Sequence, residues 1–109
     1  SVDHQREHLT GVYLGLLEWL GDQFEKRGEY QRAAECLEKW LAADPYAESA
    51  CRRRMRLFRR TDRPEEALRL FRSFEARLQT DLQLTPDAKT QALFREIKRQ
   101  AGTAPGRKT

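Results

Sequence analysis

The stretch of residues 28–62 decides the fold, and it reads GEYQRAAECLEKWLAADPYAESACRRRMRLFRRTD. Apolar side chains after the opening glycine recur three and four residues apart, which predicts a helix over Tyr30–Ala43. Asp44 and Pro45 then mark a corner, since Asp can cap a helix and Pro suits its first position. An arginine-rich helix follows as far as Arg60. Two helices joined by a proline-marked corner are therefore expected.

Three further helices are predicted around this pair. The first runs from about His8 to Lys26 and ends at Gly28, because its apolar residues lie on one helical face. These residues are Tyr13, Leu16, Leu17, Leu20 and Phe24, with Val12 and Trp19 widening the stripe. Another helix begins near Glu65 and meets no breaker before Leu84.

Two capping predictions accompany these helices. Asp62 and Glu65 have the spacing of a capping box at the start of the fourth helix. Thr85 is a plausible cap for the fifth helix, with Pro86 in its first turn. Gly102 starts a polar tail, which predicts disorder over residues 102–109.

Length and composition favour one small helical domain. The 109 residues are 39% hydrophobic and 35% charged, and none of the apolar stretches is long enough for a transmembrane helix. The first residues do not have the pattern of a signal peptide and the chain lacks an initiator Met, so we expect a piece of a longer protein. Cys36 and Cys51 do not make a disulfide framework, and two reduced thiols fit a cytoplasmic location.

Charge is distributed unevenly along the chain. Residues 1–45 hold five basic and nine acidic side chains, a net charge of −4, whereas residues 46–109 hold 16 and 8, a net charge of +8. Such asymmetry suggests an anionic partner for the basic half. Solvated helix faces without a partner explain the same pattern equally well.

An internal repeat relates the two halves. Ala33 and Ala67 are 34 residues apart, and the same offset matches Phe24 with Phe58. A helix–turn–helix period of 34 residues is typical of tetratricopeptide repeats. We therefore expect an all-α fold of two tetratricopeptide-like hairpins plus a C-terminal capping helix, forming one domain over residues 1–101.

Residues 44–97 carry a more specific pattern, which comprises Asp44-Pro45, Glu48, Met55, Ala67-Leu68, Phe71, Leu78, Asp81-Leu82, Pro86, Leu93 and Ile97. This pattern resembles the bacterial transcriptional activator domain of SARP-type regulators, and Gly28-Glu29-Tyr30 fits the first half of that family. Three positions depart from the pattern. Arg54 replaces Leu, which suggests an opened core position or a partnered arginine. Asp62 replaces Gly, a mild change because Asp tolerates the left-handed region. Gln83 also replaces Gly, which suggests a changed turn before the last helix.

The resemblance implies a regulatory, non-enzymatic role. In such regulators the domain follows a winged-helix DNA-binding domain, helps dimerisation on DNA, and contacts RNA polymerase near its sigma subunit. DNA would be reached through the missing domain rather than this fragment, and a homodimer is possible. A general peptide-binding helical repeat is the alternative, and a small-molecule sensor is a weaker one.

The arginine face of the third helix is the candidate contact surface. It comprises Arg52, Arg53, Arg56, Arg59 and Arg60, with Arg54 between them. Guanidinium groups pair well with carboxylates or phosphates, although local ion pairs to Glu48, Glu65 or Glu75 would account for the same face.

Core and groove positions follow from the repeat. They are Leu17, Leu20, Phe24, Tyr30, Ala33, Leu37, Trp40, Phe58, Ala67 and Phe71, and Trp19 is expected in the core or groove as well. His4 and His8 have metal-compatible spacing but lack a third ligand. We expect no catalytic site, metal or cofactor, since no phosphate loop or nucleophile constellation occurs in the sequence.

Overall fold

The computed structural model describes residues 2–103, and this part contains five α-helices and no strand. The helices are α1 (Val2–Lys26), α2 (Tyr30–Ala43), α3 (Glu48–Arg60), α4 (Pro64–Leu82) and α5 (Ala88–Thr103). The predicted all-α fold of helical hairpins is confirmed. The chain divides into two compact units between Asp44 and Pro45, so the α1–α2 hairpin forms one unit and α3, α4 and α5 form the other.

A glycine corner closes the α1–α2 hairpin. Gly28 has a φ of 74°, in the left-handed region where glycine carries no steric cost. The Gly28 N–H donates to the Glu25 carbonyl at 3.0 Å, and the Glu29 N–H donates to the Phe24 carbonyl at 2.8 Å. This pair of hydrogen bonds is a Schellman motif, which satisfies the last carbonyls of α1 and reverses the chain.

The two helices of the first unit differ in length, and this difference changes which side of α1 is buried. α1 begins at Val2 rather than near His8 and has 25 residues, whereas α2 has 14. Leu17 and Gly21 are buried, as are four residues of α2: Ala33, Cys36, Leu37 and Trp40. The shorter α2 can cover only part of α1, and residues 2–13 are all exposed.

Four aromatic or aliphatic residues of α1 therefore lie outside the core, contrary to the sequence prediction. They are Val12, Tyr13, Leu16 and Trp19, with 57% of Trp19 open to solvent. They share the apolar pattern of α1 with Leu17, but the pattern spans more than one side of the helix. Spacing alone did not distinguish the side that contacts α2 from the adjacent side.

The α3–α4 hairpin turns through a corner equivalent to that at Gly28. Asp62 has a φ of 61°, and the Arg63 N–H donates to the Phe58 carbonyl at 2.7 Å. Asp62 consequently closes the end of α3, and the N-cap position of α4 falls one residue beyond the predicted Asp62. The N-cap of α4 is Arg63, which makes no side-chain capping bond, and Pro64 opens the helix.

The start of α3 also differs from the prediction. The Asp44 N–H donates to the Trp40 carbonyl at 2.8 Å, so Asp44 belongs to the end of α2. Pro45 lies in a turn and Ala47 has an extended backbone, which delays the helix until Glu48.

α5 packs against both α3 and α4 and supplies part of the second core. Its Leu93 and Ile97 are buried, and the ring of Phe94 stacks on that of Phe71 with centroids 4.1 Å apart. Apolar contact of this kind closes the open side of the α3–α4 hairpin, as a capping helix should. The other buried residues of this unit are Ala50, Cys51, Met55, Leu57, Pro64, Ala67, Phe74, Leu78, Pro86 and Thr90.

Both ends of α5 depart from the sequence prediction. Gln83, expected to change the preceding turn, itself adopts the left-handed conformation with a φ of 55°. The helix starts at Ala88 and is capped by Asp87 rather than Thr85. It continues to Thr103, two residues beyond the predicted domain end, while residues 104–109 of the predicted tail lie outside the described part of the chain.

Candidate protein-interaction surface

The arginines of α3 separate into three groups that the sequence could not distinguish. Arg52 and Arg59 point toward α5, and Arg54 packs over the ring of Phe58. The remaining three, Arg53, Arg56 and Arg60, are separated by three and four residues and lie away from the buried side of α3. We call these three residues the arginine ridge.

Arg52 is an internal ligand of α5. Its Nη1 donates to both carboxylate oxygens of Asp87 at 3.0 Å and to the hydroxyl of Thr90 at 2.9 Å. Only 14% of its side chain is exposed. Such a paired, largely buried guanidinium contributes to the fold, and it is poorly placed to contact another protein.

Glu48 completes a polar cluster with these groups. Its carboxylate accepts the Thr90 hydroxyl at 2.7 Å and the Asp87 N–H at 3.0 Å. Asp87 in turn accepts the Thr90 N–H at 2.8 Å, which is the N-cap bond of α5. We call Glu48, Arg52, Asp87 and Thr90 the α3–α5 polar cluster, because it joins the starts of the two helices.

Burial and hydrogen bonding oppose each other at Asp87. Desolvation favours its neutral form, but hydrogen bonds from Thr90 and Arg52 favour the carboxylate and prevail, so the pKa of Asp87 lies below its usual value. Asp87 is thus ionised throughout the neutral range and balances the charge of Arg52.

Arg59 and Arg54 are also engaged within the second unit. The Nη1 of Arg59 lies 3.6 Å from the Glu96 carboxylate and 3.5 Å from the Gln100 side-chain oxygen. The guanidinium carbon of Arg54 lies 5.3 Å from the ring centroid of Phe58, within cation–π distance. The arginine that replaces the family's Leu is therefore half-buried against an aromatic neighbour.

The arginine ridge is the more exposed part of the arginine face. Arg56 and Arg60 are exposed and Arg53 is half-buried. Of the five arginines predicted as contacts, Arg52 and Arg59 interact with residues of α5, and the other three form the ridge.

The predicted core and groove residues fall into two burial classes. Leu17, Ala33, Leu37, Trp40, Ala67 and Phe71 are buried, whereas Leu20, Phe24, Tyr30 and Phe58 are half-buried. The Arg32 guanidinium lies 5.7 Å from the ring centroid of Phe24, so that ring covers part of a polar side chain as well.

Asp87 and Thr90 are the residues of this region that sequence reasoning did not single out. A local signal existed, because an Asp three residues before Thr, directly after Pro86, is a common helix start. The partner Glu48 lies 42 residues from Thr90, and no local pattern connects them.

The cysteines carry no nucleophilic site. Cys36 and Cys51 are both buried free thiols. Burial and the neighbouring Glu48 carboxylate raise the pKa of Cys51 to about 12, so its thiol stays protonated at neutral pH. Its Sγ contacts the sulfur of Met55 at 3.9 Å, as expected of a core residue.

Within residues 2–103, none of the helices combines the length and apolar character needed to cross a bilayer. His, Cys, Asp and Glu side chains in the same range do not converge in groups of three or more that could hold a metal ion.

Fold and surface together define an all-α helical-hairpin module that carries an arginine-rich helix. Comparison with family models makes the class specific. Residues 1–98 match the bacterial transcriptional activator domain, and the chain belongs to this family. No curated protein and no solved structure matches the chain. The module is therefore a regulatory domain of the transcription-activator type.

Proposed function

We propose that this domain is the protein-contact module of a bacterial SARP-type regulator, acting in the cytoplasm through tetratricopeptide-like hairpins. It contacts RNA polymerase near the sigma subunit and assists dimerisation on DNA. A winged-helix domain joined to it binds the promoter, so that this module makes no sequence-specific DNA contact of its own. Membership of the transcriptional activator family supports the general role.

The arginine ridge is the observation that carries the polymerase contact. Arg53, Arg56 and Arg60 share one side of α3, on which Arg56 and Arg60 are exposed and Arg53 is half-buried. Guanidinium groups form bidentate pairs with carboxylates, so an acidic surface is the chemistry they recognise. Arg52 and Arg59 already bind Asp87 and Glu96, and they hold the ridge's helix in place.

The test is binding of the chain to purified RNA polymerase holoenzyme, with core enzyme lacking sigma as the comparison. The test variant carries Arg53→Glu, Arg56→Glu and Arg60→Glu, which reverses the ridge and leaves the α3–α5 polar cluster intact. We expect binding that requires sigma and weakens at least about tenfold in the variant, because several charge pairs become repulsive. Circular dichroism checks that the variant remains helical.

A second triple variant controls for net charge. Arg69, Lys89 and Arg95 are exposed residues of the same unit but lie outside α3. Changing these three to Glu alters the net charge equally, and it should leave most of the binding intact at moderate salt, since long-range effects are screened. An equal loss of holoenzyme affinity in both variants would show that the attraction depends on net charge and not on the arginine ridge. Absence of holoenzyme binding by the original chain would refute the proposed contact.

A further inference from the structure

An exposed apolar stripe runs along α1. It consists of Val2, Leu9, Val12, Leu16 and Trp19, each of which has more than half of its surface open to solvent. With Gln5 included, successive members are separated alternately by three and four residues. We call these six positions the α1 stripe.

The spacing of the α1 stripe is that of a helix-pairing seam. Steps of three and four residues average 3.5, the period at which apolar side chains face a second helix along their whole length. The stripe is distinct from the side of α1 that carries the buried Leu17 and Gly21. The hairpin's own core therefore does not account for it.

We propose that the α1 stripe pairs two copies of this chain, with α1 packed antiparallel on α1 of the partner. This inference rests on the dimerisation part of the proposed function and names its surface. A twofold interface uses the same patch twice, so that patch must be complementary to itself. When the dyad lies between Val12 and Leu16, Val12 meets the partner's Leu16, and Leu9 meets the partner's Trp19.

Gly15 supports this arrangement independently. It is exposed inside α1, and a Cβ added there would meet nothing within 4 Å. A glycine in an exposed helix interior costs about 1 kcal/mol relative to alanine, and contacts in a single copy give no reason for it. In the antiparallel register Gly15 flanks the seam beside the dyad, where it faces the partner's Gly15 and allows the helices to approach closely.

Charge and helix length favour the antiparallel direction. A parallel pair would align the two helices residue by residue and set each Asp22 at the same level as the partner's Asp22. The antiparallel pair instead places His8 near the partner's Asp22. It also lays the uncovered first half of each α1 along the partner's α1–α2 hairpin, which produces a four-helix arrangement.

Sedimentation velocity of the chain over a wide concentration range tests the pairing. We expect reversible conversion from monomer to dimer as concentration rises. Val12→Gln combined with Leu16→Gln should raise the dissociation constant at least about tenfold, because each apolar contact is lost twice across the dyad. Glutamine is a good helix former, so α1 itself should persist.

The matched control places two glutamines on other sides of α1. Glu7→Gln combined with Glu18→Gln leaves the α1 stripe unchanged and should dimerise like the original chain. A chain that remains monomeric at hundreds of micromolar overturns the inference. Equal dimerisation of the stripe variant and the original chain also overturns it, because another surface would then be responsible.

The glycines provide a second comparison. Gly11 and Gly15 are both exposed positions of α1 that have open space around them, but Gly11 lies farther from the stripe. Gly15→Gln should weaken the dimer, whereas Gly11→Gln should not. Equal effects at the two positions would contradict close approach at Gly15.

Cysteine pairing tests the direction of the helices. A mixture of a His8→Cys chain and an Asp22→Cys chain should cross-link with a short bis-maleimide, and neither chain should cross-link efficiently with itself. The buried Cys36 and Cys51 set the background measured on the unsubstituted chain. Self-linking in each chain, or absence of the mixed product in a chain that dimerises, would overturn the antiparallel register.

Polymerase binding separates this inference from the proposed function. The Val12/Leu16 variant retains the arginine ridge and should still bind holoenzyme as a monomer. Retained binding by a chain that never dimerises would refute the α1 pairing alone. Dimerisation without holoenzyme binding would refute the polymerase contact alone.

Discussion

The α1–α2 and α3–α4 hairpins share a corner and differ in what covers them. In each, a residue with positive φ turns the chain, and a phenylalanine carbonyl accepts a backbone N–H five residues later, from Phe24 to Glu29 and from Phe58 to Arg63. The second hairpin is closed by α5, whereas α1 of the first keeps an apolar stripe exposed. Repeated backbone geometry therefore does not require repeated side-chain roles.

The contrast separates the side chains that stabilise the fold from those that remain available for association. Side chains that a third helix buries stabilise the second unit. Side chains that remain exposed at the same kind of spacing can associate with another helix. Large effects on stability are consequently expected in the α3–α4–α5 unit, and effects on association are expected at the α1 stripe.

Truncating an apolar residue on each side of this comparison should give the largest difference. Ile97 is fully buried on α5, and Ile97→Ala should lower the free energy of unfolding by about 2–5 kcal/mol through lost contacts and a cavity. Leu9 is 65% exposed, and Leu9→Ala should change it by no more than about 0.5 kcal/mol in the monomer. Urea unfolding followed by circular dichroism, at concentrations where the chain is monomeric, measures both.

A large loss of monomer stability in Leu9→Ala would show that the stripe is already packed within a single chain. A small loss in Ile97→Ala would show that α5 contributes little to the second core. Either result would remove the contrast between a covered hairpin and an uncovered helix.

The number of helices and the two corners could be predicted from the sequence, whereas the starts of α1, α3 and α5 and the burial of each helix face could not. The residue types at Gly28 and Asp62 indicate the corners, and the spacing of apolar residues indicates the helices on either side of each corner. Leu16 and Leu17 are equally apolar neighbours, yet only Leu17 is buried, because the burial of each side chain depends on the length and position of α2. Periodicity contains no information about which neighbouring helix is present.

The arginine face shows the same limit. Six arginines in nine residues predicted a cationic surface. Which of these arginines interact within the second unit could be seen only once the position of α5 was known. Arg52 meets Asp87 across 35 residues of sequence and Arg59 approaches Glu96, while Arg56 points outward. Two of the five arginines predicted as contacts thus take part in long-range charge pairs within the second unit.

The two corners provide the next comparison. Gly28 has open space for a Cβ, so the cost of Gly28→Ala comes from its positive φ alone and should be about 1–2 kcal/mol. Asp62 already occupies the same region, so Asp62→Gly should alter stability by less than about 0.5 kcal/mol, as backbone relief offsets unfolded-state entropy.

Gly28→Asn is the control, since Asn tolerates the left-handed region better than Ala and should cost less. Urea unfolding of the three variants tests the ranking. Equal stability of Gly28→Ala and the original chain would show that the first corner rearranges and is not equivalent to the second.

Asp87 extends the comparison to pH, because the α3–α5 polar cluster joins the second hairpin to a third helix, whereas residues 2–44 of the first unit contain α1 and α2 alone. The hydrogen bonds from Thr90 and Arg52 hold the pKa of Asp87 below the unfolded value of 3.8, despite desolvation. A lowered folded pKa stabilises the fold above the unfolded pKa, and that contribution is lost as pH falls through the folded pKa.

Asp87→Asn retains a good N-cap residue but removes the charge, so it should destabilise the chain by about 1 kcal/mol at pH 7, a value reduced for the partial exposure of this carboxylate. The difference between variant and original chain should shrink as the pH is lowered below 3.8, which urea unfolding at neutral and acidic pH would measure. Glu35→Gln, an exposed carboxylate of α2, is the control and should show little change at either pH. A pH-independent loss in Asp87→Asn would mean that the ionised carboxylate contributes nothing beyond its capping geometry, and the closure of the second hairpin would then rest on apolar packing alone.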